Sequence, residues 1–199
     1  MSFDLLRVAV LTSQKAPGLD ALLRHPLRGD VFDIACLIAV EEPVPPRYAR
    51  EPYDAATATV LRACGADTVL LLGYLYVLTD PMLRAFPNRI LNVHDSDLSI
   101  CRTDGRRLYR GLRSTRDAIL SGESVTRSTV HLVTPTVDDG PIVLRSDPYP
   151  VALDAMAAAA RGDIASVRRY AWLQREAMMR DWGNLAASAL QAVACEVAA

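Results

Sequence analysis

An amide, an imidazole and a carboxylate occur in this sequence at positions from which they could act on one substrate atom. Asn92 and His94 are separated by one residue in R-I-L-N-V-H, so in a β-strand both side chains would lie on the same face. Asp138 lies in the acidic turn T-V-D-D-G-P. Amide and imidazole groups can donate hydrogen bonds to an oxygen that gains negative charge, and a carboxylate beside a histidine favours the protonated ring. These residue types therefore suit a reaction with an oxyanion and a proton transfer.

Each part of this pattern also has a purely structural interpretation. Asn92 and His94 could form a satisfied pair in the core, because buried polar side chains usually find hydrogen-bond partners. The D-D-G-P residues could be ordinary turn residues, since Asp favours turns and Gly adopts unusual backbone angles. For His131, in S-T-V-H, we expect structural support of the Asp138 turn or a position beneath the site.

The segments that would position these residues alternate between strand and helix patterns. Apolar, β-branched runs predict strands, and runs with helical apolar spacing predict helices. Strands are predicted at 6–12, 31–40, 68–72 and 89–94, and helices at 20–27, 53–64 and 80–86, the last with Asp80 as its cap. In open parallel sheets ligands bind beyond the carboxyl ends of the strands, which is where Asn92 and His94 lie.

The second half of the chain leaves less room for helices that cross between parallel strands. Residues 95–111 form a polar loop, 112–121 a helix, and 128–134 and 142–145 two more strands, which predicts a mixed sheet. Residues 164–194 predict one or two amphipathic helices with a break at Gly183-Asn184. We expect an α/β, Rossmann-like fold with a mostly parallel twisted sheet, flanking helices and C-terminal helices, in a single domain over residues 1–199.

Composition excludes several classes of protein. The 22 basic and 23 acidic residues give a net charge of -1, which argues against a nucleic-acid partner. No apolar stretch reaches the roughly 18 to 20 residues of a membrane span, and the start lacks the pattern of a secretory signal, so we expect a cytoplasmic protein without a membrane partner. The cysteines are scattered, so neither a disulfide framework nor a metal site is expected.

Three segments in order carry a resemblance to a known family. They are LLLGYLYVLTDPMLRAFPNRILNVHDSDL, GLRSTRDAILSGE and STVHLVTPTVDDGPIVLRSDPYPV. The chain resembles the folate-dependent formyltransferases, whose pattern reads N-x-H-P-S-L-L-P, then S-V-H, then L-D-x-G-P. The resemblance covers about residues 6–193, and it places Asn92, His94 and Asp138 on the family's catalytic asparagine, histidine and aspartate.

The resemblance implies transfer of a formyl group from 10-formyltetrahydrofolate to the amine of a small molecule through a tetrahedral intermediate. Asn92 and His94 would stabilise the charged oxygen, and Asp138 would assist proton transfer. The reduced folate is expected along two segments, with Tyr74 open to a second interpretation as a core aromatic. The expected residues are Leu72, Gly73, Tyr74, Leu75, Val77, Leu78, Val137, Asp139 and Gly140.

The chain departs from the family pattern at three places that bear on the acceptor. His94 is followed by D-S-D-L-S-I-C, without the two prolines, and residues 102–107 are additional. Arginines there could bind an acceptor carboxylate or phosphate, or the loop could simply be solvated. The predicted acceptor-binding residues are Arg102, Arg106, Arg107, Tyr109 and Arg110. In the family's glycinamide enzyme a Gly-rich loop after the first strand binds the acceptor phosphate with its backbone amides. The matching residues 12–18 have one glycine and a proline, so the resemblance implies that glycinamide ribonucleotide is not the acceptor.

The sequence leaves open two alternative functions and whether the chain forms a homodimer. The same three polar groups could activate water and release formate, which would make the chain a formyltetrahydrofolate hydrolase. A non-catalytic folate-binding homologue would keep the fold without turnover. Trp172 and Trp182 could form a homodimer face as readily as a core contact.

Overall fold

The computed structural model describes residues 5–13, 15–40 and 44–197, and its central feature is a six-stranded sheet of order β2-β1-β3-β4-β6-β7. The strands are β1 Leu6–Ser13, β2 Phe32–Val40, β3 Thr68–Leu72, β4 Ile90–His94, β6 Thr129–Leu132 and β7 Ile142–Arg145. β1 is parallel to β2 and β3, and β3 is parallel to β4, whereas β4–β6 and β6–β7 are antiparallel. The predicted mixed, mostly parallel sheet is therefore confirmed.

Seven α-helices and one 3-10 helix, Arg47–Ala49, accompany the sheet in the described residues. The helices are α1 Leu19–Leu23, α2 Glu51–Ala63, α3 Asp80–Ala85, α4 Ser114–Leu120, α5 Leu153–Ala160, α6 Ile164–Met179 and α7 Trp182–Val197. Short strands β5 Val125–Thr126 and β8 Tyr149–Pro150 pair in a separate antiparallel ribbon. No described helix has both the length and the apolar character that crossing a membrane requires.

The central strands β1, β3 and β4 are buried on both faces, and alternation along each strand directs its side chains into two separate cores. One face of the sheet packs against α7, and its core includes Val8, Val10, Leu70, Leu91, Trp182 and Leu190. The other face packs against α2 and α3, with Leu11, Val69, Ile90, Leu61, Met82 and Phe86. A third cluster joins α4, α5 and α6 through Ile119, Ala155, Val167 and Ala171. This third cluster fixes α6 beside the carboxyl end of β4.

Two predictions about helix ends were wrong. The break in the C-terminal helices falls at 180–181, and Gly183 lies inside α7. A Cβ atom at Gly183 would lie 2.1 Å from the Gly18 carbonyl oxygen, so this glycine permits the close approach of α1 and α7. Asp80 is the first residue of α3 and not its cap, because the preceding Thr79 has the extended backbone and donates its N–H and hydroxyl to Asp54.

Candidate active site

Asn92 and His94 lie at the carboxyl end of β4, and the antiparallel neighbour β6 places His131 opposite Asn92. The Asn92 Nδ2 and His131 Nε2 atoms are 3.2 Å apart. His131 Nδ1 is 2.9 Å from the Leu132 carbonyl oxygen, which can only accept, so Nδ1 carries a proton. The Asn92 amide then retains a second N–H for another acceptor.

Asp138 reaches this strand end from a left-handed turn. Its φ is 52°, an uncommon conformation for a residue with a side chain, and two hydrogen bonds from Arg107 hold the turn. Arg107 Nη1 donates to the Asp138 carbonyl oxygen at 2.9 Å, and Arg107 Nη2 donates to the Gly140 carbonyl oxygen at 2.7 Å. A Cβ atom at Gly140 would lie 1.9 Å from the Leu132 carbonyl oxygen, so only glycine lets the turn lie against β6.

The Asp138 carboxylate lies between both histidines. Oδ2 is 3.6 Å from His94 Nδ1 and accepts the Gly111 N–H at 2.7 Å, and Oδ1 is 3.5 Å from His131 Nε2. Burial would raise the pKa of Asp138, but the His131 contact, the His94 charge and the Gly111 N–H outweigh it and lower the pKa to about 2. The carboxylate is therefore charged at neutral pH.

The His94 ring is held from both sides. Its Nε2 is 3.2 Å from the Tyr109 carbonyl oxygen, so Nε2 carries a proton. Its Nδ1 faces Asp138 at 3.6 Å and Asp95 at 4.0 Å. A second proton on Nδ1 would thus face two carboxylates, and the ring itself is only 7% exposed. The structure brings all three predicted catalytic side chains together.

These side chains line an active-site cavity of about 250 Å³. One side of the cavity, which we call the strand-end wall, consists of residues 73–78 with Val133, Thr134 and Val137. Burial is the main cause that raises the pKa of the Tyr74 phenol within this wall. Of the residues predicted to bind folate, six lie in the wall: Gly73, Tyr74, Leu75, Val77, Leu78 and Val137. Leu72, Asp139 and Gly140 are not among the lining residues.

The residues predicted to bind the acceptor lie elsewhere. Arg107 holds the Asp138 turn, and the Tyr109 hydroxyl donates to Glu123 at 2.8 Å within a buried contact. Arg110 Nη1 is 3.6 Å from Asp139, and Arg106 Nε is 3.8 Å from Asp104 on the protein surface. Arg102 is exposed. The structure brings none of these five described residues to the lining of the cavity.

The lining of the cavity instead includes Asp95 and Arg175, which the sequence did not single out as site residues. The Asp95 carboxylate is buried and accepts from Ser114 Oγ at 2.8 Å and from Arg175 Nε at 2.5 Å, while its backbone carbonyl accepts from Thr115. Asp95 therefore ties the end of β4 to α4 and α6. The sequence could have indicated Asp95, because it stands directly after His94, where the family pattern has proline. No sequence pattern marks Arg175 as a site residue.

Comparison of the sequence with known proteins matches one family. A sequence profile of the family described as "Formyl transferase" matches residues 28–157. Phosphoribosylglycinamide formyltransferase from Haemophilus influenzae is 29% identical over 70% of this chain and 71% of its own length. The chloroplastic phosphoribosylglycinamide formyltransferase of Arabidopsis thaliana is 35% identical over 55% of this chain. The chain spans 38% of that plant protein and 11% of a trifunctional purine biosynthetic protein of Drosophila melanogaster.

Solved structures agree in fold. Glycinamide ribonucleotide transformylase 1 from Symbiobacterium toebii superimposes with a TM-score of 0.72 at 30% identity, covering 96% of this chain and 89% of that one. A formyltetrahydrofolate deformylase from Pseudomonas syringae gives a TM-score of 0.62 at 23% identity, covering 90% of this chain and 63% of that one. The second likeness concerns the fold alone.

Proposed function

The chain belongs to the formyl transferase family, which confirms the resemblance in its sequence, and we propose that it moves a formyl group from 10-formyltetrahydrofolate to the amine of a small-molecule acceptor. One observation carries this proposal. Asn92, His94 and Asp138 converge at the end of β4, with the Asp138 carboxylate 3.6 Å from the His94 ring, beside a cavity large enough to hold reacting groups.

In the proposed reaction the amine nitrogen forms a bond to the formyl carbon, and the bond from that carbon to N10 of the folate breaks. Negative charge develops on the formyl oxygen, which the free N–H of the Asn92 amide and the adjacent His94 ring would stabilise. The amine loses a proton and N10 gains one, through water beside the Asp138 carboxylate. Because its pKa is about 2, Asp138 is a weak base, and its main contribution is the negative charge that it places 3.6 Å from the His94 ring.

His131 acts through its neighbours in this scheme. It contacts the Asn92 amide on one side and the Asp138 carboxylate on the other, at 3.2 Å and 3.5 Å. Both contacts come from one ring nitrogen, Nε2, so His131 fixes the amide and the carboxylate relative to each other. We therefore regard His131 as a positioning residue, in agreement with the support role expected from its place in S-T-V-H.

The strand-end wall fits the donor. Its side chains, including Leu75, Val77 and Val133, are mostly apolar, while the irregular backbone of residues 73–78 offers N–H and C=O groups. An apolar pocket with a few oriented polar groups is the usual environment of a flat heterocycle. Arg50 supports the wall from behind by donating to the Val77 carbonyl oxygen at 3.1 Å. This arrangement would hold the pterin ring and leave its formyl group near His94.

The test combines donor binding with product detection. The purified chain is titrated by calorimetry with a stable 10-formyltetrahydrofolate analogue and then incubated with the natural donor and a panel of amines. We expect saturable binding of the analogue and an acceptor whose mass rises by one formyl group in place of hydrogen. A chain that neither binds the analogue nor yields a formylated amine or formate would contradict the proposal.

Hydrolysis of the donor is the second candidate, favoured by a partial match to formyltetrahydrofolate deformylase from Escherichia coli, which is 31% identical over 96 residues. Water would then take the place of the amine beside His94. Formate release without any added amine, at a rate equal to turnover with amines, would favour hydrolysis. Amine-dependent loss of the donor would favour transfer.

A further inference from the structure

A second cleft opens next to the active-site cavity, between α4 and α6. Its volume is about 250 Å³, and four of its lining residues are arginines: Arg113, Arg116, Arg168 and Arg175. We call this the arginine cleft. Apart from Asp95 it is lined by no acidic residue within the described part of the chain. Such a concentration of guanidinium groups creates a positive potential that attracts anions.

The arginine cleft is continuous with the catalytic residues. Asp95, Leu112 and Arg175 line both the cleft and the active-site cavity, and Asp95 lies 4.0 Å from the His94 ring. No residue of the strand-end wall lines the cleft. A molecule in the cleft would therefore reach the reacting centre past Asp95 and Arg175, and not through the wall proposed for the donor.

Part of the positive charge has no counterpart among the residues that the structure describes. Arg175 pairs with Asp95 at 2.5 Å, and Arg116 pairs with its neighbour Asp117 at 2.6 Å. Arg113 and Arg168 have exposed side chains and form no ion pair in residues 5–13, 15–40 and 44–197. The cleft thus presents two uncompensated guanidinium groups, which suits a group with more than one negative charge, because guanidinium forks bind phosphate and carboxylate oxygens in pairs.

Trp172 adds an apolar side to the same cleft. It is 54% exposed, lies on α6 between Arg168 and Arg175, and is a lining residue. An exposed tryptophan beside arginines gives the uncharged part of a ligand a surface to pack on. The other tryptophan, Trp182 at the start of α7, is only 2% exposed and belongs to the core, so the two tryptophans do not form one shared face.

We propose that the arginine cleft binds an oxyanion group of the formyl acceptor, either a phosphate ester or a pair of carboxylates, and so presents the acceptor's amine to His94. This proposal rests on the proposed transferase function. The loop after β1 offers a poorer anion site, because Pro17 lacks an N–H and a Cβ at Gly73 would lie only 2.6 Å from its ring. Gln14 of that loop lies outside the described residues.

The first experiment titrates the full chain with inorganic pyrophosphate, inorganic phosphate and glutarate at low ionic strength. Arg168→Gln and Arg113→Gln remove the uncompensated charges, and Arg169→Gln is the matched control, since Arg169 is the exposed neighbour on α6 that lines neither cavity. We expect binding of at least one of these anions, weakened about tenfold in either cleft variant and less than about twofold in the control. Tighter binding of pyrophosphate would indicate a phosphate-bearing acceptor, and tighter binding of glutarate a dicarboxylate.

Absence of anion binding, or equal weakening by Arg169→Gln, would overturn the proposal.

A second measurement tests whether the cleft binds the folate donor in place of the acceptor, because reduced folates can carry chains of negatively charged glutamate. Monoglutamate and triglutamate forms of the 10-formyl analogue are titrated into the wild-type chain and Arg168→Gln. We expect both affinities to be unchanged by the substitution. If Arg168→Gln weakens the triglutamate selectively, the cleft binds the donor's tail and the acceptor assignment fails, whereas the proposed function fails only if neither analogue binds.

Discussion

The strand-end wall and the arginine cleft are the two sides of one site, and they are built differently. The wall consists of residues that follow β3 and β6 directly, so the ends of the strands determine its shape. Apart from Asp95, the cleft consists of side chains from α6, from α4 and from the two residues before α4. The two helices are more than forty positions apart and are brought together by the small core of Ile119, Val167 and Ala171. The wall depends on the sheet, whereas the cleft depends on helix packing.

This difference suggests a division of labour. Strand ends have a fixed geometry, which suits a donor that does not vary. Side chains on packed helices can be exchanged without altering the sheet, so the cleft is the part of the site that can adapt to a particular acceptor. Asp95 joins the two parts, because it follows β4 and pairs with Arg175 of α6.

Replacing Asn92 with alanine should give the largest effect, since it removes an oxyanion donor from the strand-end side. We expect the kcat for the acceptor found in the amine screen to fall about 100- to 1,000-fold. Affinity for the donor analogue should stay within about twofold, because the wall is untouched. Asn184→Ala, an exposed position on α7, is the control. A large loss of analogue binding in Asn92→Ala would show that the amide holds the donor and not the charged oxygen.

The low pKa of Asp138 predicts a stability contribution that depends on pH. The pKa falls from 3.8 to about 2 on folding, so the stabilisation is fully present above about pH 4 and is lost as the pH falls through about 2. The shift corresponds to about 2 kcal/mol of the free energy of unfolding. Urea unfolding of the wild-type chain and Asp138→Asn should show a stability gap of that order at pH 6 that shrinks by pH 2.5. A gap that is constant across this range would contradict the charge contacts with His94 and His131.

The sequence predicted the strand-end side better than the helical side, for physical reasons. Period-two alternation placed Asn92 and His94 on one face of β4, and the glycine in D-D-G-P marked a turn that needs one. Asp95 was noticed only as a departure from P-S-L-L-P, and its partner Arg175 lies 80 positions away in an ordinary amphipathic helix. Periodicity shows which face of α6 is apolar but not which loop that helix meets. The basic loop 102–107 drew attention through its charge, yet Arg107 is used internally.

Arg175→Gln tests whether the two sides of the site can be separated. The variant leaves the Asp95 carboxylate without its cation and removes one guanidinium from the cleft, so kcat/KM should fall about tenfold. We expect most of the loss in the KM of the acceptor, with little change in the affinity for the donor analogue. Arg175→Lys, which keeps the charge but loses the planar fork, should recover part of the loss. Equal losses of donor and acceptor binding would show that the two sides are not independent.

The basic loop should give the smallest effect, although its charge makes it conspicuous in the sequence. Arg102 and Arg106 are exposed, and the Arg106 guanidinium makes a surface contact with Asp104 at 3.8 Å. Exposed pairs of this kind contribute about 0 to 1 kcal/mol and are screened by salt. The double variant Arg102→Gln, Arg106→Gln should therefore change kcat/KM for the acceptor by less than about twofold at physiological ionic strength. A tenfold loss in this double variant, equal to that of Arg168→Gln, would instead indicate that the loop binds the acceptor's charged group. The arginine cleft would then bind the acceptor no better than another cluster of positive charge on the same surface.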